Sequence, residues 1–463
     1  MIRVLNAYFP ARTLFLGLSE AVLATLAFVL AVVVDQGPLN ATIALNYEQG
    51  YTKIALIVGT FVVCMYYFDL YDSKVFGNRR ELFTRIVQVM GTLCLILAFI
   101  YYEFPFLRLS TEIFLKGTAL ATCGLLCSRR LFLLVNTIDR VAEQCIILGN
   151  GPLAETLISE LAKRPELGLR VVNHINEDQE RLPSEGLQDA FFSDELGRIV
   201  ERQNITRIIV AMSERRGKMP VESLLQLKTL GIRIQDGVEL YEQISGKISL
   251  QSLRLSWLLF SPGFQASRFQ LIYKRLFSLC LSAICLLIAL PFMLVIALAI
   301  RLDSRGPVIF RQERVGKNGK IFTLYKFRSM VDGTERDGIF QPAEKNDKRV
   351  TRFGRWLRAI RLDELPQLFN IFRGDMYFVG PRPFVPNQEE DCVRHIPFYK
   401  QRWSVRPGAT GWAQVSRDYC ATIEENADKL AYDLFYIRNM SVGLDLFILF
   451  KTVKILLLGR GGR

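Results

Sequence analysis

Long runs of apolar residues dominate the first third of the chain. The first run, residues 14–34, contains a single charged residue, Glu20, and is long enough to cross a bilayer. The three runs that follow are residues 54–68, 86–102 and 113–135. Because a helix of about twenty apolar residues spans the hydrocarbon core, the pattern predicts a four-helix transmembrane bundle within residues 1–140.

Basic residues in the loops predict the orientation of this bundle. The loop at residues 35–53 has one lysine, whereas the loop at residues 69–85 has Lys74 and three arginines. Positively charged loops stay on the cytoplasmic side, so the second loop and everything after Arg130 are expected in the cytoplasm. Glu20 is expected to pack against a neighbouring helix, near a helix end.

After residue 140 the pattern changes to short apolar strands that alternate with helices. The strand-like segments are CIILG, LRVV, RIIVAM and GIRIQ, and the first is followed by a helical stretch at residues 153–163. This alternation predicts a parallel sheet, and therefore a Rossmann-like α/β domain at residues 141–250.

The turn after the first of these strands, GNGPLA, partly matches a dinucleotide-binding fingerprint. Gly149 and Gly151 stand where backbone N–H groups hold a pyrophosphate in such folds. The acidic residue expected about twenty positions further on is missing, because the second strand ends in Asn173 and His174. The turn therefore favours a degenerate fold used for assembly or regulation, and leaves nucleotide binding at the two glycines open.

A second type of membrane segment is predicted further on. Residues 251–275 form a linker in which Trp257 and neighbouring leucines suggest a segment on the membrane surface. Residues 276–300 are apolar enough to span a bilayer, but the run is basic on both flanks and contains Pro291, which bends a helix. A crossing here would carry the basic region after it out of the cell. We therefore predict a re-entrant helix, broken at Pro291, that returns through the same leaflet.

Composition narrows the chemistry. Half of the 463 residues are hydrophobic although 22% are charged, which indicates membrane segments joined to soluble parts. Nine cysteines without a CxxC pair and only two histidines argue against a disulfide framework, a zinc site or a histidine-based triad. The net charge is +13, and residues 301–382 contain 18 Lys and Arg against 10 Asp and Glu. Beside a membrane, this excess favours lipid phosphate and nucleotide diphosphate over nucleic acid as partners.

Two adjacent carboxylates among arginines are the strongest candidate for chemistry. Asp363 and Glu364 lie in RAIRLDELPQLFNIFRGDMYFVGPRP, residues 358–383, and Pro366 just after them predicts a helix start. Carboxylates in a cationic site stay ionised and share a divalent metal with a phosphate, as phosphoryl transfer requires. On charge alone, surface salt bridges are an equally good interpretation.

The surrounding sequence resembles one family. The similar blocks are the one just given, GPVIFRQERVGKNGKIFTLYKFRSM (306–330), NDKRVTRFGRWLR (346–358), VRPGATGWAQV (405–415) and KLAYDLFYIRNMSVGLDL (429–446). Together they resemble the bacterial sugar transferases, monotopic polyprenyl-phosphate glycosyl-1-phosphate transferases. The resemblance implies a mainly α (α+β) monotopic transferase domain at residues 276–463. It also implies a multi-pass protein of the bacterial inner membrane, with the catalytic domain in the cytoplasm.

The same resemblance implies a reaction and a set of site residues. A sugar-1-phosphate would pass from a UDP-sugar to undecaprenyl phosphate, the initiating step of exopolysaccharide synthesis. Asp363 would be the nucleophile and a ligand of Mg²⁺, while Glu364 would orient the metal or assist proton transfer. The residues expected to bind phosphate are Arg358, Arg382, Lys326 and Arg328.

Other interpretations stay open. The residue types permit a one-step transfer without a covalent intermediate. An inactive membrane scaffold or regulator that senses a nucleotide through the middle domain is the main alternative, and a dinucleotide-dependent oxidoreductase centred on Gly149 is another. The family more often has serine at Tyr377 and an acidic residue at Phe384, which leaves the sugar open. The sequence also leaves open the glycan pathway and the formation of a homodimer.

Overall fold

The computed structural model describes residues 1–72, 75, 78–137, 142–175, 196–212, 219–253, 258, 260–261, 263–264, 266–331, 347–417 and 422–458. Contacts along the chain divide it into two compact units. Unit 1 is Met1–Ile2 with Phe9–Leu240, and unit 2 is Arg3–Tyr8 with Tyr241–Arg463. The surface segment expected around Trp257 lies outside the described residues.

Four long apolar helices open unit 1. They are α1 (Ala11–Asn46), α2 (Gly50–Tyr67), α3 (Arg79–Glu103) and α4 (Thr111–Thr137). Within the described ranges, five helices are long and apolar enough to cross a membrane, namely these four and one in unit 2. The chain is therefore a membrane protein, while the number of helices that cross and their orientation stay predictions. Helix α1 extends past the predicted run and is interrupted at Gly37, whose φ is +78°, before Pro38.

Small residues allow α1 and α4 to approach closely. Ala24, Ala27 and Ala31 of α1 are buried. A Cβ added at Gly117 of α4 would lie 2.4 Å from the ring of Phe28, so the close contact requires glycine there. Large apolar side chains cover the outer face instead, as expected of helices that pack through small residues and face lipid.

The predicted packing partner of Glu20 is a buried arginine. Glu20 Oε1 lies 2.9 Å from Arg129 Nε, and neither side chain is more than 2% exposed. Arg129 Nη1 also donates a hydrogen bond to the carbonyl oxygen of Leu70 at 2.8 Å, and the guanidinium lies over the ring of Tyr71. The pair therefore joins α1, α4 and the segment that follows α2.

We expect Arg129→Met to lower the free energy of unfolding by about 3–5 kcal/mol, because it leaves the Glu20 carboxylate buried without a counter-ion. Thermal unfolding of the purified full chain in detergent measures this loss. Arg130→Met is the matched control, since Arg130 is the next residue on α4 and is exposed. Equal effects of the two substitutions would contradict a stabilising role for the pair.

A four-stranded parallel sheet completes unit 1. Its strands, in the order β4-β3-β5-β6, are β3 (Glu143–Leu148), β4 (Leu169–Ile175), β5 (Arg207–Val210) and β6 (Arg233–Asp236). Along the chain, α5 (Pro152–Lys163), a helical segment at residues 196–202 and α6 (Val221–Thr229) lie between these strands, and α7 (Gly237–Ser245) follows the last strand. Ile146 and Ile208 of the two central strands are fully buried. The prediction of a parallel α/β domain is thereby confirmed.

The GNGPLA turn lies between β3 and α5. Gly149 has a φ of +126°, and a Cβ there would lie 2.6 Å from the backbone of Ala211, so the close approach of the chain after β5 requires glycine. Gly151 immediately precedes α5. His174 Nε2 lies 2.6 Å from the carbonyl oxygen of Gly149, which accepts a hydrogen bond from it. The histidine therefore ties β4 to this turn at the strand end where a ribose-binding acid was expected.

Unit 2 combines one very long helix with shorter elements. The helices are α8 (Arg268–Asp303), α9 (Arg352–Ala359), α10 (Gln367–Arg373), α11 (Pro386–His395), α12 (Trp412–Ser416), α13 (Ile423–Asn439) and α14 (Val442–Leu457). The strands β7 (Ile309–Val315) and β8 (Ile321–Phe327) form an antiparallel hairpin, whereas β9 (Tyr377–Val379) and β10 (Gly408–Thr410) pair in parallel.

One face of α8 packs against the rest of unit 2 along the whole helix. The buried positions recur every three or four residues or at multiples of that spacing: Lys274, Ser278, Ser282, Met293, Ile296 and Ile300. Between them, Leu286 and Ala289 pack against the same core. The other face exposes Leu287, Phe292 and Leu298. The helix begins within the predicted linker and is continuous through Pro291, so the break predicted there is not present in the structure, while the re-entrant path stays a prediction.

A short hairpin from the start of the chain belongs to unit 2. Its strands are β1 (Ile2–Val4) and β2 (Ala7–Phe9). Arg3 Nη2 donates to Asn439 Oδ1 at 2.9 Å, and Asn6 Nδ2 donates to the carbonyl oxygen of Asn439 at 3.2 Å. The hairpin therefore packs at the corner between α13 and α14.

Candidate active site

The two adjacent carboxylates lie in a turn between two short helices. Helix α9 ends at Ala359, the 3₁₀ turn Leu362–Glu364 contains both acids, and α10 begins directly after Pro366. The acids thus precede a helix start, as predicted, but occupy a separate turn rather than the first turn of α10. Arg361, just before them, has a φ of +58°, an uncommon backbone conformation for a residue with a side chain.

Glu364 is held by two cations. Its Oε1 accepts hydrogen bonds from Lys326 Nζ at 2.9 Å and from Arg382 Nη2 at 2.8 Å. Burial alone would raise the pKa of this carboxyl, but the two cations hold the pKa of Glu364 well below its usual range. Glu364 is therefore ionised, and its charge is compensated within the protein.

Asp363 has a different environment from its neighbour. It makes no hydrogen bond or ion pair with any residue that the structure describes. Burial raises the pKa of Asp363, an effect that Lys326 opposes and the charge of Glu364 reinforces. A partly buried carboxylate whose oxygens have no protein partner is available for bonding to a substrate.

Three of the predicted cations surround the pair. Lys326 on β8 and Arg382 in the loop after β9 contact Glu364. Together with Arg358 at the end of α9, they oppose the rise in the pKa of Asp363 that burial causes. The side chain of Arg358 makes no hydrogen bond or ion pair with the described residues. Its guanidinium is therefore available to an anionic ligand beside Asp363.

Arg328 has other contacts. It is 6% exposed, and its Nη2 donates to the carbonyl oxygen of Ser304 at 2.6 Å and to Ser304 Oγ at 2.9 Å. Its Nε and Nη1 have no hydrogen-bond partner in the part of the chain that the structure describes. The contacts of Arg328 fix the end of α8 and, unlike those of Lys326, do not reach the acidic pair.

Two arginines that sequence reasoning missed hold the loop around Arg382. Arg402 Nη2 donates to the carbonyl oxygen of Arg382 at 2.5 Å, and Arg314 Nη1 donates to that of Pro383 at 3.1 Å. With these two carbonyl groups fixed, the side chain of Arg382 is directed towards Glu364. The backbone of the loop is thus positioned by protein charges rather than by its prolines alone.

Arg402 is itself part of a buried ionic network. Its Nε donates to Asp433 Oδ2 at 2.7 Å and its Nη1 donates to Glu389 Oε1 at 3.0 Å, and all three side chains are at most 4% exposed. Asp433 is a single acid within the apolar segment LAYDLFYI. This position is the sequence signal that could have indicated a buried acid with a cationic partner. No motif marks Arg402 or Glu389 as its partners.

A second buried cluster joins α8 to the same loop. Lys274 Nζ donates to Asp445 Oδ2 at 2.7 Å, to the carbonyl oxygen of Val379 at 3.2 Å, and to the hydroxyl of Tyr436. Val379 ends β9, directly before Gly380-Pro381-Arg382. The long apolar helix is thereby connected to the phosphate-binding candidate Arg382.

The residues present fit a magnesium ion that is shared with a substrate. No group of three or more His, Cys, Asp or Glu side chains that could hold a metal ion occurs in the described part of the chain. Mg²⁺ commonly takes one or two protein carboxylates and fills its other positions with water and substrate phosphate oxygens. Asp363 provides one such carboxylate, whose oxygens have no partner among the described residues.

The family of the chain follows from comparison with known proteins. A family model described as bacterial sugar transferase matches residues 269–459, and one described as CoA-binding domain matches residues 66–235. The exopolysaccharide production protein PSS of Rhizobium leguminosarum bv. phaseoli is 43% identical over 190 residues, which are 40% of this chain and 94% of that protein. The chain belongs to the bacterial sugar transferase family.

Two longer relatives have more specific names. The UDP-N-acetylgalactosamine-undecaprenyl-phosphate N-acetylgalactosaminephosphotransferase of Aeromonas hydrophila is 41% identical over 228 residues, 49% of this chain and 52% of that protein. The UDP-glucose:undecaprenyl-phosphate glucose-1-phosphate transferase of Klebsiella pneumoniae is 45% identical over 185 residues, 40% of each chain. The chain therefore spans about half of these relatives or less. Their names specify different sugars, so similarity does not identify one for this chain.

Proposed function

We propose that the chain transfers a sugar-1-phosphate from a UDP-sugar to undecaprenyl phosphate. The products are UMP and undecaprenyl-diphosphate-sugar, and the reaction would initiate an exopolysaccharide or related glycan. The observation that carries the proposal is the difference between the two acids: two cations compensate the charge of Glu364, whereas the Asp363 side chain has no hydrogen bond or ion pair with a described residue. The names of the relatives support the two substrates.

The transfer proceeds in two displacements at one phosphorus atom. An oxygen of Asp363 attacks the phosphorus that bears the sugar, the bond from that phosphorus to the bridging oxygen breaks, and its electron pair leaves with UMP. The resulting aspartyl phosphate ester of the sugar is then attacked by a phosphate oxygen of the lipid. This second step restores the Asp363 carboxylate. The covalent route replaces one difficult encounter of two phosphates by two easier steps.

The cations of the site have separate roles in this scheme. Arg382 and Arg358 bind the phosphate oxygens, because a planar guanidinium matches phosphate geometry. Glu364 positions Arg382 and Lys326, since both donate to its Oε1. Asp363 and the diphosphate of the donor are the groups that would hold Mg²⁺, which supplies charge neutralisation when it is bound.

We propose that this site faces the cytoplasm on the bacterial inner membrane. Lys274 and Ser304, near the two ends of α8, both contact unit 2, which argues against a crossing because a crossing helix would place its ends on opposite sides of the bilayer. A re-entrant bend of this helix rests on the sequence, since α8 is continuous through Pro291 in the structure. Residues 3–8 also pack on unit 2, which agrees with an even number of crossings before residue 241.

A direct test measures UMP release by the full chain with a panel of UDP-sugars, Mg²⁺ and undecaprenyl phosphate. We expect turnover with the lipid and, without it, one UMP per chain together with a sugar-phosphate mass on the peptide that contains Asp363. Turnover with no adduct under any condition would favour the one-step mechanism. No UMP release with any UDP-sugar would favour the scaffold or regulator.

A further inference from the structure

A groove of about 300 Å³ lies in unit 2, away from the residues assigned so far. Its basic side chains are Arg275, Lys317 and Arg406, and none of the described residues that line it is acidic. Its apolar wall consists of three residues of α8: Leu271, Ile272 and Leu276. The groove therefore joins a cluster of positive charge to the apolar surface of a candidate membrane helix.

Two of the basic groups are fixed and one is available. Arg275 donates to carbonyl oxygens at the C-terminal end of α10 at 2.9 and 2.8 Å. Arg406 Nη1 donates to the hydroxyl of Tyr377 at 3.0 Å, and its guanidinium lies 5.2 Å from the centre of that ring. The side chain of Lys317, in the turn between β7 and β8, has no hydrogen bond or ion pair with a described residue. Its ammonium group can therefore pair with a ligand.

The groove and the acidic pair lie at opposite ends of the same elements. Arg275 contacts the last residues of α10, whereas Glu364 precedes the first, and seven helical residues extend about 10 Å. Lys326, which contacts Glu364, is near one end of β8, and Lys317 precedes the other end, about 17 Å further along a strand. A phosphate held beside Lys317 is therefore out of reach of Asp363.

We propose that this groove binds the phosphate headgroup of an anionic glycerophospholipid, with an acyl chain along the apolar wall of α8. Ile272 and Leu276 are each more than half exposed beside the basic groups, and a lipid presents the same combination of apolar chain and anionic head. Undecaprenyl phosphate has similar chemistry, but the separation from Asp363 favours a lipid that is not consumed. Binding holds α8 against an anionic membrane face, whether or not the proposed transfer occurs.

The test uses native mass spectrometry of the purified full chain in detergent, titrated separately with phosphatidylglycerol, phosphatidylcholine, undecaprenyl phosphate and inorganic phosphate. We expect phosphatidylglycerol to bind more tightly than phosphatidylcholine. Lys317→Gln should lower the affinity for phosphatidylglycerol about five-fold, because one basic residue near a lipid surface contributes about that much to binding. Lys320→Gln is the matched control, because Lys320 is an exposed lysine of the same turn region that does not line the groove.

Several outcomes would overturn the proposal. Equal affinity for phosphatidylglycerol and phosphatidylcholine would mean that headgroup charge is not recognised. Equal effects of the two substitutions would mean that the binding lies elsewhere. If Lys317→Gln weakens the binding of undecaprenyl phosphate alone, the groove binds the lipid substrate of the proposed transfer. If it weakens the binding of inorganic phosphate alone, no lipid is bound there. UMP release by the Lys317→Gln variant is measured as well, so that a failure of the lipid proposal can be told apart from a failure of the proposed transferase activity.

Discussion

Asp363→Asn is expected to abolish transfer and, at the same time, to stabilise the folded chain. The activity should fall at least about 10³-fold, because an amide cannot act as the nucleophile. Burial raises the pKa of Asp363, which means that the folded state disfavours the ionised form. This destabilisation is present at neutral pH and is lost as the pH falls through the raised pKa. Asparagine has nearly the same shape without the charge, and therefore removes the penalty.

UMP release and thermal unfolding of the full chain, measured over a range of pH, test both parts. The stability advantage of Asp363→Asn should shrink in acid, where the wild-type carboxyl is protonated as well. Asp391→Asn is the control, because Asp391 is an exposed aspartate of α11. A variant that retains full activity would remove the covalent mechanism, and a large loss of stability would instead assign Asp363 a structural role.

Arg402→Met is expected to lower the free energy of unfolding by about 3–5 kcal/mol, since it leaves two buried carboxylates without their counter-ion. Glu389 and Asp433 are both 2% exposed. The substitution also releases the carbonyl oxygen of Arg382, so activity should fall even where the chain is still folded. Thermal unfolding and UMP release measure the two effects, and Arg394→Met, at an exposed position of α11, is the control.

A triple variant separates the effect of Arg402 on the position of Arg382 from its effect on the stability of the chain. Adding Glu389→Gln and Asp433→Asn to Arg402→Met removes the uncompensated charges and should recover part of the lost stability. We expect transfer to stay low, with a raised KM for the UDP-sugar, because Arg382 is still without its backbone contact. Recovery of activity together with stability would show that the network only stabilises the fold.

Local patterns predicted the parts of the fold that depend on local periodicity. Apolar runs indicated the long helices, and the alternation after residue 140 indicated the parallel sheet. The different environments of Asp363 and Glu364 were not predictable from local sequence. They depend on Lys326, 38 residues before Glu364, and on Arg382, 18 residues after it. The Arg402 network was missed for the same reason, since its partners come from two helices and a loop carbonyl.

The placement of Arg328 has a simple geometric cause. Residues two apart on a strand share one face, so Lys326 and Arg328 would point to the same site if the strand continued. Strand β8 ends at Phe327, however, and Arg328 contacts Ser304 instead. The sequence YKFRSM contains no signal for where the strand ends, and the two basic residues consequently differ in their contacts.

The hairpin formed by β1 and β2 also affects the order in which unit 2 can be completed. Arg3 and its partner Asn439 are 436 residues apart, so the hairpin leaves the ribosome long before the surface on which it packs. It has to stay accessible while the rest of the chain is synthesised, and closing so long a loop has an entropic cost. The hairpin can therefore pack at the corner between α13 and α14 only after α13 has been translated. This contact is a late event in biogenesis.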